Sequence, residues 1–432
     1  MTDWLEFPFG SEVPRERLEA VVQRGEQAVT GGYSREVRVF DFAANGKAFS
    51  QVAIVFTPEV PMKIDGKDVV IFTSEAGHDS AREFAEDDQG LEGPGPWLAR
   101  RGITVIATAR LGRWNFQTYD ALGSWEGVPL EQRMPVFNRD QPNPWPAESY
   151  ETRDATGVSS PTGSASVRFP VAGSELEQSM LALTPEVMIE GFQRVLEGCG
   201  VKRRRDEILL LYWGFSTGGA FLWPLAKIYR PDGIASFGMA HFAISYFATR
   251  GFNGDYRWLY DHSALRVRER NYTDFAFFSP DHTEEERRAE WGRALRSARF
   301  KSFEDTFMFF NVGALTESLT RLWNEPFLPD DVRARGFADL VRRNIELSFP
   351  DSALSELAVL ELSGTKDEIH PPHVIEVAAS VTAPHCRKYQ QLLLTGLHHS
   401  ICADHVKVFG SIWIDAIQSG YFAKARTGRR GE

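Results

Sequence analysis

Residues 208–220 have the sequence ILLLYWGFSTGGA, in which an apolar run of strand length leads into the pattern Gly-x-Ser-x-Gly. The two glycines are Gly214 and Gly218, and Ser216 lies between them. An apolar segment of helical character follows and stops before Pro231. The sequence therefore predicts a strand, a sharp turn and a helix, with Ser216 at the turn. The N–H groups and the positive end of such a helix point at the serine, where they stabilise a developing negative charge.

The segments around this stretch have the pattern of a buried sheet. Two apolar strands flank the turn signal Asn45-Gly46 and predict a hairpin. Further apolar runs of strand length lie at residues 69–73, 103–108, 234–239, 357–362 and 389–394. Helical spacing of apolar residues predicts helices at 15–28, 184–198 and 400–417. This alternation predicts a mostly parallel sheet with helices on both faces.

Two long segments depart from the alternation. Residues 113 to about 180 have little periodicity and leave the predicted sheet where loops lie over an active site. Residues 243–352 are helical in pattern and rich in aromatic side chains, including Phe307 and Phe310. We expect most of these aromatic residues to hold their own segment together and a minority to line a pocket.

Charge and length limit the partners that this chain can have. The 432 residues carry a formal net charge of −11, which disfavours nucleic acid and anionic membranes. No apolar run reaches membrane-spanning length, and the N-terminus lacks the basic and apolar regions of a signal peptide. We expect a cytoplasmic protein that acts on a small molecule, and we leave a homodimer open.

Cysteine and histidine spacing gives no indication of a bound metal. Cys199, Cys386 and Cys402 are widely spaced and have the pattern of ordinary thiols in a reducing compartment. His370 and His373 are separated by two prolines, which is poor ligand geometry. The sequence also lacks a glycine-rich phosphate loop that ends in Lys-Ser or Lys-Thr. We therefore expect neither a metal nor another cofactor.

The strand, turn and helix around Ser216 resemble the nucleophile elbow of the α/β-hydrolase superfamily. The resemblance implies a mostly parallel α/β-hydrolase sheet with helices on both faces and a helical cap inserted before the last two strands. Residues 1–242 would then be the first part of the core, with an excursion at about 113–180. Residues 243–352 would be the cap, and residues 353–432 the last part of the core.

The same resemblance implies a catalytic triad in the chain order serine, acid, histidine. It places the acid on Asp367, in the turn after the strand that ends at residue 364, with Glu368 as the neighbour that could be confused with it. The family register after the last strand favours His399 as the base. His398 is the alternative base, because the two histidines are adjacent.

An oxyanion hole needs two backbone N–H groups. One is expected from Thr217, directly after the nucleophile, and the other from Glu75 or Ala76 in the loop after the strand at 69–73. The His-Gly pair that is usual at this second place is absent, so the sequence departs from the commoner pattern. The residues that we expect to contact substrate are His78, Phe215, Phe307, Phe310 and His398.

These features predict a serine hydrolase that cleaves a carboxylic ester, lactone or amide of a bulky, mainly apolar small molecule through an acyl-enzyme. One alternative keeps the triad and hydrolyses a carbon–carbon bond or transfers an acyl group. Another alternative is a ligand-binding protein without catalysis on the same fold. Neither the substrate nor the oligomeric state follows from the sequence.

Overall fold

A computed structural model describes most of the predicted core of the chain. The described residues are 3–44, 46–74, 92–108, 147–154, 166–171, 174–175, 185–215, 219–238, 354–367, 379, 382–398 and 403–423. The predicted cap at 243–352 and most of the predicted excursion lie outside them.

The described part of the chain contains twelve strands and five helices. The strands are β1 (Ser11–Glu12), β2 (Tyr33–Ala44), β3 (Lys47–Pro58), β4 (Lys63–Ile64), β5 (Lys67–Ser74), β6 (Thr104–Thr108), β7 (Tyr150–Asp154), β8 (Ser166–Pro170), β9 (Ile208–Gly214), β10 (Gly233–Phe237), β11 (Ala358–Gly364) and β12 (Lys388–Leu394). The helices are α1 (Arg15–Gln27), α2 (Pro94–Ala99), α3 (Pro185–Gly198), α4 (Gly219–Ile228) and α5 (Ala403–Gln418).

Ten of these strands form one mixed sheet in the order β1-β12-β11-β10-β9-β5-β6-β3-β2, with β4 paired to β5. Neighbours from β1 to β6 in this order are parallel. The hairpin β2–β3 and the pairs β3–β6 and β4–β5 are antiparallel. The structure therefore confirms the predicted hairpin and the mostly parallel sheet, which is not closed into a barrel.

Helices cover both faces of the sheet. On one face, α1 packs against α5, and α2 contacts β3, β6 and α5. On the other face, α3 packs against β2, β3 and α4, and α4 lies against β9. Phe192 of α3 contacts Phe72 of β5, with ring centroids 5.7 Å apart. The central strands β5, β6, β9 and β10 are buried between these layers and mainly apolar on both faces, as central parallel strands require.

An aromatic cluster fixes α5 beneath the middle of the sheet. The indole of Trp213 in β9 contacts that of Trp413, with centroids 4.8 Å apart, and Phe237 in β10 stacks on Phe409 at 4.9 Å. Phe409 and Trp413 are one helical turn apart, so they share a face of α5. The helix that follows the last strand is thereby held under the strand that leads to Ser216.

Two parts of the fold differ from the sequence expectation. The N-terminal segment was not predicted to add a strand, yet β1 pairs with β12, and Val13 N–H donates to the Leu393 carbonyl at 3.0 Å. Within the predicted excursion, β7 and β8 form a separate two-stranded antiparallel sheet. The excursion is therefore not wholly irregular. No helix in the described residues is long and apolar enough to span a membrane.

A buried guanidinium joins the ends of two helices. Arg101 is 5% exposed and lies over the Trp97 ring, 3.6 Å from its centroid. Its Nε donates to the Gly25 carbonyl at 2.6 Å, its Nη1 to the Trp97 carbonyl at 2.8 Å and its Nη2 to the Glu26 carbonyl at 3.3 Å. Burial lowers the pKa of Arg101 to about 10, so the group stays charged at neutral pH. Arg101 thus satisfies carbonyls in the last turn of α1.

We predict that Arg101→Met lowers the free energy of unfolding by about 2–3 kcal/mol, because buried carbonyls lose a charged donor. Urea denaturation measures this loss. Arg100→Met is the matched control, since the neighbouring Arg100 side chain is 44% exposed and pairs with Glu92 at 2.8 Å. An exposed pair of this kind contributes about 0.5 kcal/mol. Equal losses in the two variants would contradict a special role for Arg101.

Candidate active site

The turn that holds Ser216 lies between a buried strand and a helix. All residues of β9 are buried, β9 ends at Gly214, and α4 begins at Gly219. Phe215 is 5% exposed and belongs to the apolar core, so its contact with substrate stays a prediction. Ser216 and Thr217 lie outside the described residues. The predicted strand and helix on either side of the serine are confirmed.

The chain reverses sharply at this turn. A Cβ added to Gly214 would lie 2.4 Å from the Gly219 Cα, 2.9 Å from its nitrogen and 2.8 Å from Leu222 Cδ1. Backbone therefore occupies the space that a side chain at 214 would need. This close approach of strand and helix is the geometry for which the sequence places glycine at Gly214.

The predicted oxyanion loop begins beside this turn. Ser74, the last residue of β5, is directly in register with Gly214 of the neighbouring strand β9. Glu75, Ala76 and His78 follow and lie outside the described residues. The strand before the predicted second donor and the strand before Ser216 therefore end side by side.

The acid turn, residues 364–367, follows β11. Asp367 is 3% exposed, and its N–H donates to the Gly364 carbonyl at 3.0 Å, which closes the turn. Glu368, the neighbour that could be confused with it, lies outside the described residues. The described chain therefore places a buried carboxylate where the resemblance places the acid.

A second buried carboxylate of β11 has a different environment. Glu361 is 0% exposed and accepts a hydrogen bond from the Tyr389 hydroxyl at 2.5 Å. Burial is the main cause that raises the pKa of Tyr389 well above its ordinary value, and the Glu361 carboxylate raises it further. Glu361 lies in mid-strand, in register with Ser236 and Gln391. It is therefore set back from the end of the strand where Asp367 lies.

The histidine turn, residues 395–398, follows β12. His398 is half-buried, and its ring lies nearly parallel to that of His405 in α5, with centroids 6.4 Å apart. The ring centroid of His405 also lies 6.1 Å from that of Phe237 in β10. His405 therefore packs between β10 and the histidine turn. His399 lies outside the described residues.

The acid turn and the histidine turn are hydrogen-bonded to each other. Lys366 N–H donates to the Leu397 carbonyl at 3.0 Å, and Gly396 N–H donates to Thr365 Oγ1 at 2.8 Å. The two turns follow adjacent parallel strands, with Gly364 in register with Leu394. The turn that holds Asp367 and the turn that holds His398 are thus joined, although they lie on separate strands of the chain.

The strands β9, β10, β11 and β12 are adjacent, parallel and in chain order, so their carboxyl ends lie at one end of the sheet. The serine turn follows the first of them, the acid turn the third and the histidine turn the fourth. The strands therefore lead, in this order, into the segments for which the resemblance predicts the serine, the acid and the histidine. The chain has the α/β-hydrolase fold.

The chain is similar to several solved hydrolase structures, at low sequence identity. No family model and no curated protein matches the sequence. Esterase E22 is 13% identical, covering 90% of this chain and 100% of its own, at a TM-score of 0.43. Acetyl xylan esterase 1 from Thermoanaerobacterium sp. JW/SL YS485 is 12% identical, and the match covers 98% of each chain at a TM-score of 0.35. A puromycin-hydrolyzing peptidase from Mycobacterium tuberculosis is 14% identical. The match covers 91% of this chain and 40% of the peptidase chain, at a TM-score of 0.39.

Sequence reasoning missed the residues that join the two turns of the α/β-hydrolase site. Thr365 was not singled out, and Gly364 was noted only as the end of a strand. The available signal was a glycine that ends a fully buried strand directly before a polar turn. Among the described residues, no three His, Cys, Asp or Glu side chains are grouped as a metal site.

We predict that Gly214→Ala lowers the free energy of unfolding by about 2 kcal/mol or more, because the new methyl group meets backbone that has to move. Urea denaturation measures this effect. Gly31→Ala is the control, because its added Cβ would meet nothing closer than 3.5 Å. Unchanged stability of Gly214→Ala would mean that strand and helix are not in contact at this turn.

Proposed function

We propose that this protein is a serine hydrolase that cleaves a carboxylic ester, lactone or amide through an acyl-enzyme. The observation that carries the proposal is the reversal of the chain between Gly214 and Gly219, at the same end of the sheet as the joined acid and histidine turns. A serine hydroxyl is a poor nucleophile at neutral pH and needs a base and an orienting carboxylate. The fold supplies candidates for both beside the serine turn.

In the proposed mechanism, Ser216 Oγ attacks the substrate carbonyl while His399 accepts its proton. Asp367 orients the imidazole and stabilises its charged form. The N–H of Thr217 and that of Glu75 or Ala76 bind the oxyanion, and the N-terminal end of α4 adds a favourable field. His399 then protonates the leaving group, and water attacks the acyl-enzyme by the same route.

Two observations support Ser216 over the cysteines as the nucleophile and His399 over His398 as the base. Burial raises the pKa of the Cys199 thiol to about 11 and that of the Cys386 thiol to about 12, so neither is a ready thiolate nucleophile at neutral pH. His398 already lies against His405 on the α5 side of the site. This supports His399 as the base and leaves His398 as a wall of the pocket.

The substrate class rests on the aromatic residues of the predicted cap. We propose that Phe307 and Phe310 face a bulky, mainly apolar small molecule, together with His78. A cytoplasmic location, a small-molecule partner and the cap at 243–352 stay predictions from the sequence.

We predict that a fluorophosphonate probe labels Ser216 in the native protein. Ser216→Ala should lose the label and at least about a thousandfold in kcat on a nitrophenyl ester, as expected for a missing triad nucleophile. Mass spectrometry of the labelled peptide identifies the site. Ser50→Ala is the control, because the Ser50 hydroxyl donates to Asp41 in the hairpin, on β3, which lies three strands from β9 in the sheet.

The outcomes separate the alternatives. Labelling without ester turnover would favour a carbon–carbon hydrolase or an acyltransferase with the same triad. Absence of labelling would favour a ligand-binding protein. Labelling of Ser216→Ala at the native rate would contradict the assigned nucleophile.

We predict that His399→Ala approaches the loss seen in Ser216→Ala, because members of a triad act as a unit. His398→Ala should keep substantial kcat and change mainly KM. Steady-state kinetics of both variants on one activated ester measures the difference. The reverse ranking would make His398 the base.

A further inference from the structure

The histidine turn has no regular structure of its own, so its shape depends on its neighbours. It follows β12, which ends at Leu394, and α5 begins nine residues after that, at Ala403. Whatever fixes this turn also fixes the line from the predicted base to Ser216. The described contacts fix it from two sides.

On the inner side, each turn donates a hydrogen bond to the other. Gly396 N–H donates to Thr365 Oγ1 at 2.8 Å, and Lys366 N–H donates to the Leu397 carbonyl at 3.0 Å. Thr365 N–H also donates to the Leu394 carbonyl at 3.0 Å. Thr365 therefore holds the start of the histidine turn through its main chain and the middle of the turn through its side chain.

The two backbones are also in direct contact at Gly364. A Cβ added there would lie 2.1 Å from the Leu397 carbonyl oxygen and 2.6 Å from its carbon. A side chain at 364 would force Leu397, and the two histidines after it, to move. Because the obstacle is backbone, it cannot be relieved by a change of rotamer.

On the outer side, the Thr395 hydroxyl donates to Glu12 Oε2 at 2.6 Å. Glu12 belongs to β1, the edge strand that pairs with β12. This contact is exposed to solvent, so we expect it to hold the turn less firmly than the inner contacts.

We propose that Gly364 and Thr365 are positioning residues for the catalytic histidine, which they hold through the histidine turn in line with Asp367 and Ser216. The proposal rests on the proposed function for the identity of the base. The residues that hold the turn lie on the acid turn itself. Acid and base are therefore set relative to each other by the contacts between the acid turn and the histidine turn.

Such a contact should act on the rate more than on binding. The base must lie within hydrogen-bond reach of the serine, and an error of about 1 Å can cost about a hundredfold in rate. A base that turns away from its carboxylate also loses the charge that stabilises its protonated form. Its pKa then falls, and the acid limb of the kcat/KM profile moves to lower pH.

Thr365 is tested with a pair of variants and a matched control. Thr365→Val keeps the shape and removes the acceptor, and we expect kcat on an activated ester to fall about tenfold with little change in KM. The acid limb of the pH profile should move to lower pH, and Thr365→Ser should restore both. Thr30→Val is the control, because the Thr30 hydroxyl donates to the Val60 and Arg100 carbonyls at the opposite end of the sheet.

Gly364 is tested against a glycine with a similar obstacle. A Cβ added to Gly233, at the start of β10, would lie 2.6 Å from the Ala358 carbonyl oxygen. Both alanine variants should lose stability, but only Gly364→Ala should lose about a hundredfold in kcat per folded molecule. If both variants kept native kcat, or lost it equally, the positioning role would be overturned.

Amide hydrogen exchange measures the contact without reference to activity. Gly396 N–H should exchange faster in Thr365→Val than in the native protein, with no change in Thr30→Val. Equal exchange in all three would overturn the contact itself. Faster exchange with unchanged kcat and pH profile would overturn the positioning role while the serine hydrolase stands. If Ser216→Ala keeps its turnover, the proposed function fails, and the exchange result still reports on the contact.

Discussion

Parallel pairing of β9, β10, β11 and β12 is the constraint on which the rest of the site depends. Parallel strands end at the same end of the sheet, so the residues that follow them meet there whatever their distance in sequence. The register makes this concrete, since Gly364 pairs with Leu394 and Gly214 with Ser74. A shift of one residue in any of these pairs would turn every side chain of the shifted strand to the other face and displace the turn that follows it.

Two of these strands end in a glycine whose backbone is in close contact with another segment. Gly214 ends β9 and Gly364 ends β11, and at each the space of a Cβ is filled by the backbone of another segment. At Gly214 that segment is the start of α4, and at Gly364 it is the histidine turn. Each glycine lets two backbones pass within contact distance, so the chain after the strand is placed by close packing and not by flexible side chains.

The sequence was sufficient for the central strands, because apolar runs of strand length that end at a glycine turn, such as residues 208–213, are typical of strands buried on both faces. It was insufficient where the signal depends on a distant partner. The two residues of β1 have no periodicity, and they form a strand only because β12 offers an open edge. Likewise, Thr365 and Gly396 meet because of the β11–β12 register, which the local sequence does not contain. His398 and His399 share one local pattern, so only the surrounding contacts distinguish them.

The aromatic cluster below the sheet connects the elbow strand to the histidine turn. His405, Phe409 and Trp413 lie four residues apart along one face of α5, where they contact His398, Phe237 and Trp213 respectively. One helix face therefore packs against the strand that leads to Ser216 and against the turn that leads to His399. Because these rings are large and tightly packed, α5 cannot slide without disturbing both. The segments that lead to the proposed nucleophile and the proposed base then share one rigid support, which is what a preorganised site requires.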